Sequence, residues 1–211
     1  KQNSAKALNY TELVGAIRSE GAWKLDFQSK SESFSATALS VVNAAGPFAK
    51  NVSELFASPT KAKLVFSKGV HFTINRKLTQ GDRVLAFWDE QNRLFYVLPM
   101  GDRSMIGTTD TRVDAPQTQA NDEDIEFVLR QINAQLELSQ PITKDEIVSA
   151  RSGVRPLVID GGQGDNQDWH QLSRKHVIET NNDSAVISIL GGKLTDCLNV
   201  GQEVLTELRH L

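Results

Sequence analysis

Polar groups gather at the ends of apolar stretches in four places: Lys68-Gly69-Val70-His71, Gly153-Val154-Arg155-Pro156, Ser173-Arg174-Lys175 and Gly191-Gly192-Lys193-Leu194-Thr195. Sites in layered α/β proteins sit at such strand ends. His71 follows a glycine inside an apolar run, and a neutral imidazole near its ordinary pKa can take the proton of an alcohol. A histidine hydrogen-bonded within a sheet has the same sequence setting. Arg155 lies between Val154 and Pro156. Its guanidinium stays charged, so burial requires a carboxylate, a phosphate or carbonyl oxygens around it. Arg174 stands just before another strand, and two arginines can grip a phosphate through paired contacts. Structural salt bridges are the competing account of both arginines.

The fourth segment follows the apolar run 186–190. Gly191 and Gly192 let another group approach the backbone closely. The helix expected from about Thr195, with Thr195 as its cap, turns its N–H groups and positive dipole end toward that spot. An anionic oxygen suits it, such as the N1–C2=O edge of a reduced flavin. An ordinary strand–turn–helix has the same composition. Other chemistries lack a pattern. His170, His176 and His210 have no comparable setting, and no HxxxH, HxH or CxxC spacing calls for a metal. Ser104, Ser152 and Ser188 lack a GxSxG elbow for nucleophilic hydrolysis. The net charge of −3 gives no electrostatic case for nucleic acid. The single cysteine, Cys197, forms no internal disulfide and fits a reducing compartment.

These groups must be positioned by the elements around them. Residues 8–43 read as a β-meander, with strict alternation over 23–28. The run 38–42 is more continuously apolar and predicts a fully buried strand that stops at Asn43-Ala44-Ala45-Gly46-Pro47. Pro47 then opens a short helix through about Phe56. Residues 63–75, 84–88, 94–99 and 104–109 read as antiparallel strands. Asn121 caps an acidic first turn, and Ile125, Val128, Leu129, Ile132 and Leu136 form one apolar stripe on the helix that follows, which Pro141 closes. Strands return at 147–159, 175–179 and 185–190, with a loop at 161–166 and a final helix whose apolar face is Leu198, Val204, Leu205 and Leu208. Strand-rich ends, 1–60 and 146–211, thus flank a middle unit, 61–145, of antiparallel sheet plus helix: an inserted substrate domain within a cofactor domain.

Together the segments resemble the FAD-dependent glycerol-3-phosphate dehydrogenases and the related α-glycerophosphate oxidases. Val41-Val42-Asn43-Ala44-Ala45-Gly46-Pro47 is similar to their VNAxGPW, Lys68-Gly69-Val70-His71 to KGxH, and Leu98-Pro99 with Ile106-Gly107-Thr108-Thr109-Asp110-Thr111 to LPW…IGTTDT. Ser152-Gly153-Val154-Arg155-Pro156-Leu157 is similar to AGVRPL, Ser173-Arg174-Lys175-His176 to SRxH or TRDY, and Gly191-Gly192-Lys193-Leu194-Thr195 to the start of GGKLTTYR. The motifs fall in register over roughly residues 8–208.

The resemblance implies an α+β, α/β-type D-amino-acid-oxidase-like fold and oxidation of sn-glycerol 3-phosphate to dihydroxyacetone phosphate through FAD. The electron acceptor it implies is quinone or oxygen. By the same pattern His71, Arg155 and Lys193 are the catalytic set, with Arg155 and Lys193 on the C2 oxygen and Arg174 on the phosphate. Gly46, Gly191, Gly192, Lys193, Leu194 and Thr195 border the flavin. The implied location is cytoplasmic, or peripheral on the inner face of the membrane, with homo-oligomerisation an associated expectation. Three departures stand out. Asp196-Cys197-Leu198 replaces the expected tyrosine and arginine, and Phe48 stands in place of tryptophan. The glycine-rich G-x-G-x-x-G unit is absent, since Gly162-Gln163-Gly164 lacks the third glycine. With no initiator Met and no apolar signal-peptide core at Lys1-Gln2-Asn3-Ser4-Ala5, the expectation is a C-terminal portion that is inactive alone and holds no FAD.

Two rivals remain at this level. An amine or amino-acid oxidase of the same fold needs one arginine for a carboxylate; Arg155, Arg174 and Lys193 together favour a phosphorylated substrate. The rival of another class is a non-enzymatic binding module that kept the fold; the polar site residues still standing at their strand ends argue against it, and stabilisation of the full-length protein by glycerol 3-phosphate separates the readings.

Overall fold

The computed structural model describes residues 5–116, 118–159 and 175–211. The chain forms two compact units, Lys1–Leu64 with Leu157–Leu211, and Val65–Pro156. Composition had placed the crossings at 60/61 and 145/146. They fall later because strand β10 (Ile147–Ile159) begins as a neighbour of β5 (Lys63–Ile74) in one sheet.

In the first unit, β1 (Thr11–Ser19), β2 (Ala22–Ser29) and β3 (Ser33–Ala38) form the antiparallel meander, with a register shift between Leu13 and Gly15. Alternation along β2 buries Trp23 and Leu25. Trp23 meets Phe56 edge-on at 5.0 Å between ring centroids, and its Nε1–H donates to the Ser184 carbonyl at 2.7 Å. The run 38–42 is not one buried strand. β3 ends at Ala38, Leu39 is 79% exposed, and β4 (Val41–Asn43) joins a different sheet. Apolar composition concealed that switch.

The second sheet of this unit orders β11 (His176–Asn181), β12 (Val186–Gly191) and β4. β12 is antiparallel to β11 and parallel to β4, with Val186, Ile187 and Ser188 opposite Val41, Val42 and Asn43. Pro47 lies in a 3-10 turn, Gly46–Phe48, that leads into α1 (Ala49–Leu55). The last helix, α3, spans Cys197–Leu208 after a 3-10 turn at Leu194–Asp196. Thr195 therefore lies inside the turn and is not the cap. Of the four residues expected on its apolar face only Val204 is buried; Leu198 is 87% exposed.

The second unit is a sheet with β10, β5, β8 (Arg103–Gly107), β7 (Leu94–Met100) and β6 (Leu85–Trp88) in that order, and β9 (Thr111–Val113) paired to β5. β9 had no counterpart among the expected strands; three residues are too few for a periodicity. Helix α2 (Asp122–Gln135) starts as expected at Asn121, whose Oδ1 accepts the Asp124 N–H at 3.0 Å while Asp124 Oδ2 accepts the Asn121 N–H at 2.9 Å. Val128 and Ile132 of α2 join Val70, Phe72, Ile74, Phe95, Val97 and Ile106 in the core. Each such side chain contributes about 1.5–3 kcal/mol of burial. That core makes β5 and β8 a rigid support for the polar groups at their ends.

Candidate active site

β5 carries Ser67, Lys68, Gly69 and His71 in succession, and hydrogen bonds fix its path on either side of Gly69. The Val70 N–H donates to Thr109 Oγ1 at 3.0 Å, and the Thr109 N–H donates back to the Val70 carbonyl at 3.2 Å. Lys68 and Asp124 are both buried, and Lys68 Nζ meets Asp124 Oδ2 at 2.6 Å. This ion pair ties β5 to the first turn of α2, since Asp124 is also the reciprocal cap of Asn121.

Arg155 packs directly against Gly69. A Cβ built on Gly69 would fall 2.2 Å from Nη2, 2.6 Å from Cζ and 2.7 Å from Nη1 of the guanidinium. Only glycine permits that approach. Arg155 Nη2 donates to Thr108 Oγ1 at 3.1 Å, and Nη1 lies 3.4 Å from Ser67 Oγ and 3.5 Å from Asp110 Oδ1. Ser67 Oγ donates to the same Asp110 oxygen. The Arg155 side chain keeps 31% exposure, so the cation is held without being sealed off.

His71 is half-buried on the same strand, opposite Gly107 of β8. Gly107 has φ 139°, and a Cβ there would lie 2.7 Å from the Val70 carbonyl and 3.2 Å from His71 Cδ2. The glycine lets the end of β8 lie against the imidazole. Burial holds the His71 pKa below its ordinary value of 6.5, and the charges of Arg155 and Arg151 push the same way. The ring is therefore neutral near pH 7 and able to accept a proton.

The first unit contributes a different set. Because β4 and β12 are parallel neighbours, their carboxyl ends lie side by side, and from them emerge the turns bearing Gly46 and Gly191-Gly192. Such an edge is where open α/β sheets bind ligands. Gly46, Gly191 and Gly192 have φ of 56°, 69° and 92°. A Cβ on Gly46 would meet no atom within 4 Å, whereas one on Gly192 would press on His176 Cβ at 3.1 Å. Lys193, Leu194 and Thr195 are exposed beyond them.

His176, without a distinctive setting in the sequence, braces this turn. Its Nε2 is 2.9 Å from Glu203 Oε2 and its Nδ1 3.3 Å from Asp196 Oδ2. Asp196, one of the departures from the expected motif, thus anchors the start of α3 to β11. Asp110, Thr108, Ser67 and Lys68 were also missed as site residues. All but Ser67 stand inside quoted motifs, but only their placement around Gly69 gives them a role. Arg174 lies outside the described residues.

Residues 1–193 match the FAD dependent oxidoreductase family. The chain belongs to that family. Its fold is similar to the FAD-complexed glycerol-3-phosphate dehydrogenase of Bacillus halodurans, with a TM-score of 0.78 and 26% identity over 96% of this chain and 39% of that one. The mitochondrial glycerol-3-phosphate dehydrogenase of Macaca fascicularis is 30% identical over 95% of this chain and 29% of its own length. The aerobic glycerol-3-phosphate dehydrogenase of Staphylococcus saprophyticus is 27% identical over 97% of this chain and 37% of its own length. The chain thus spans well under half the length of these relatives.

The first unit's surface suits a flavin ring. The carboxyl-end turns are open, their glycines leave backbone exposed, Leu194 offers an apolar contact at 89% exposure, and the N–H groups of the 194–196 turn favour negative charge. Among the described residues, no part of it is a diphosphate-binding G-x-G-x-x-G turn.

Proposed function

We propose that the chain works as the C-terminal portion of a longer flavoprotein that oxidises sn-glycerol 3-phosphate to dihydroxyacetone phosphate. The observation that carries the reading is the pair on one face of β5: a half-buried imidazole kept neutral, and a guanidinium seated on Gly69 beside it in the same unit. A base and a fixed cation are what the oxidation of an alcohol requires of the protein.

His71 takes the proton of the C2 hydroxyl as the C2–H bond breaks, leaving a carbonyl at C2. Arg155 and Lys193 stabilise the negative charge that develops on the C2 oxygen. Arg174 holds the phosphate by paired hydrogen bonds. Gly46 and Gly191 to Thr195 border the flavin, with FAD supplying the two-electron acceptor when bound. The middle unit acts as the substrate domain, and the flanking stretches as parts of the cofactor domain. Electrons leave to quinone or to oxygen, and the oxygen dependence of turnover separates the two. No helix among the described residues is long and apolar enough to cross a membrane; we place the protein in the cytoplasm, peripherally on the membrane's inner face and as a homo-oligomer.

The reading is tested by assaying the full-length protein with an artificial acceptor. Turnover is expected with sn-glycerol 3-phosphate, and preference for glycine or another amino acid would overturn it.

A further inference from the structure

Arg151 lies on β10 in the second unit, and two fixed points define its place. At one end the Asn75 N–H donates to the Glu146 carbonyl at 2.8 Å; at the other Arg155 packs against Gly69. β10 therefore runs antiparallel to its neighbour β5, with Arg151 between the two points on one strand and His71 between them on the other. Alternate residues of a strand share a face, so Arg151 and Gly153 lie on the face of Arg155. Ser152, between them, turns the other way and donates from Oγ to the Thr118 carbonyl at 3.0 Å.

That face is open beside Arg151. A Cβ on Gly153 would meet no atom within 4 Å. The Cα atoms of residues 151 and 155 are thus separated by about 13 Å of strand with no side chain between them on that face. Other cations of this unit are engaged: Arg76 meets Glu146 at 2.6 Å, Arg93 meets Asp89 at 3.0 Å and Lys68 meets Asp124 at 2.6 Å. Arg151 is exposed, and among the described residues it meets no carboxylate. Its charge still reaches the site: after burial and the charge of Arg155, that of Arg151 is the third influence holding His71 in its neutral form. A guanidinium beside a proton-accepting imidazole, with open space along its strand, suits an anion. Its planar fork matches a phosphate through two parallel hydrogen bonds.

We propose that Arg151 is a specificity-determining residue: from the face of β10 beside His71 it binds the phosphate of a phosphorylated alcohol whose hydroxyl meets the imidazole. In sn-glycerol 3-phosphate the two groups stand on adjacent carbons, so one ligand spans both side chains. A phosphate offers three oxygens, enough for Arg151 beside the contact assigned to Arg174. The choice of a phosphorylated alcohol rests on the glycerol 3-phosphate reading; the anion site at Arg151 does not.

Calorimetric titration of the full-length protein with inorganic phosphate tests the site. Arg151→Met should weaken binding about tenfold. Equal affinity in the two proteins, or no binding to the wild type, overturns the inference. In turnover with sn-glycerol 3-phosphate the same variant should raise KM about tenfold with kcat nearly unchanged, the split expected of a contact made alike in the ground and transition states. An unchanged KM overturns the role in specificity. Arg151→Lys keeps the charge without the fork and should recover part of both losses. Should Arg151→Met fail to fold, Arg151→Gln replaces it, with the same losses expected. If phosphate binding falls in the variant while the wild type leaves sn-glycerol 3-phosphate unoxidised, the functional reading fails and the anion site stands.

Discussion

His71 gives the sharpest test at the scale of single residues. Desolvation is the larger cause of its lowered pKa and the Arg155 charge the next, so the fold favours the neutral ring. The stability this gives is full above the ordinary value of 6.5 and is lost as pH falls toward the lower folded value. The acid limb of kcat/KM in the full-length protein should therefore lie below pH 6.5. Arg155→Met should shift the limb upward, because one positive neighbour is gone, yet not fully to the ordinary value, because burial remains. His71→Ala should flatten the limb; a limb that persists unchanged makes His71 structural. Replacing Lys193 by Gln should lower kcat by about 10²-fold, and Arg174→Ala should act mainly on KM, with a loss of about 2–4 kcal/mol in substrate binding. Steady-state kinetics with sn-glycerol 3-phosphate check both.

Secondary structure was legible wherever a local rule dominates. Asn121 and the acidic turn after it spelled the start of α2, because capping is local chemistry; the reciprocal bond from Asp124 came only with the structure. Alternation around Trp23 and Leu25 spelled β2. The break at Leu39 was hidden because both flanking stretches are apolar and only the tertiary pairing of β4 with β12 separates them. The start of α3 lies later than expected because a 3-10 turn, Leu194–Asp196, precedes it. The site followed the same divide. His71 and Arg155 stood out by type and setting, whereas Asp110 matters only through where β8, β9 and β10 place it. Lys68 offers the prediction at this scale. With both partners buried, Lys68→Met leaves Asp124 uncompensated and should destabilise by about 3–5 kcal/mol, while Lys68→Met with Asp124→Leu should recover much of that loss. Thermal unfolding of the full-length variants measures it; a double variant no better than the single one would mean that the pair does not act as a pair.

For the molecule as a whole, the proposed flavin surface, with no diphosphate-binding motif in the sequence, sets the expectation. Gly46 and Gly191 to Thr195 can border a ring, but nothing in the sequence supplies the glycine-rich turn that anchors a dinucleotide. Leu39, Leu194 and Leu198 are 79%, 89% and 87% exposed in the same unit, and such apolar surface promotes self-association. The 211-residue chain by itself should therefore purify colourless, elute as more than one species on gel filtration, and show no dehydrogenase activity. A yellow preparation with flavin near one per chain would contradict this.

The central question is whether C2 of glycerol 3-phosphate is oxidised at the expense of the flavin. Anaerobic mixing of the full-length flavoprotein with sn-glycerol 3-phosphate measures this directly. The oxidised flavin absorbance should bleach within a single turnover, with dihydroxyacetone phosphate formed in equal amount, and the bleaching should slow sharply in the Arg155→Met protein. A flavin that stays oxidised with sn-glycerol 3-phosphate but bleaches with an amino acid would contradict it.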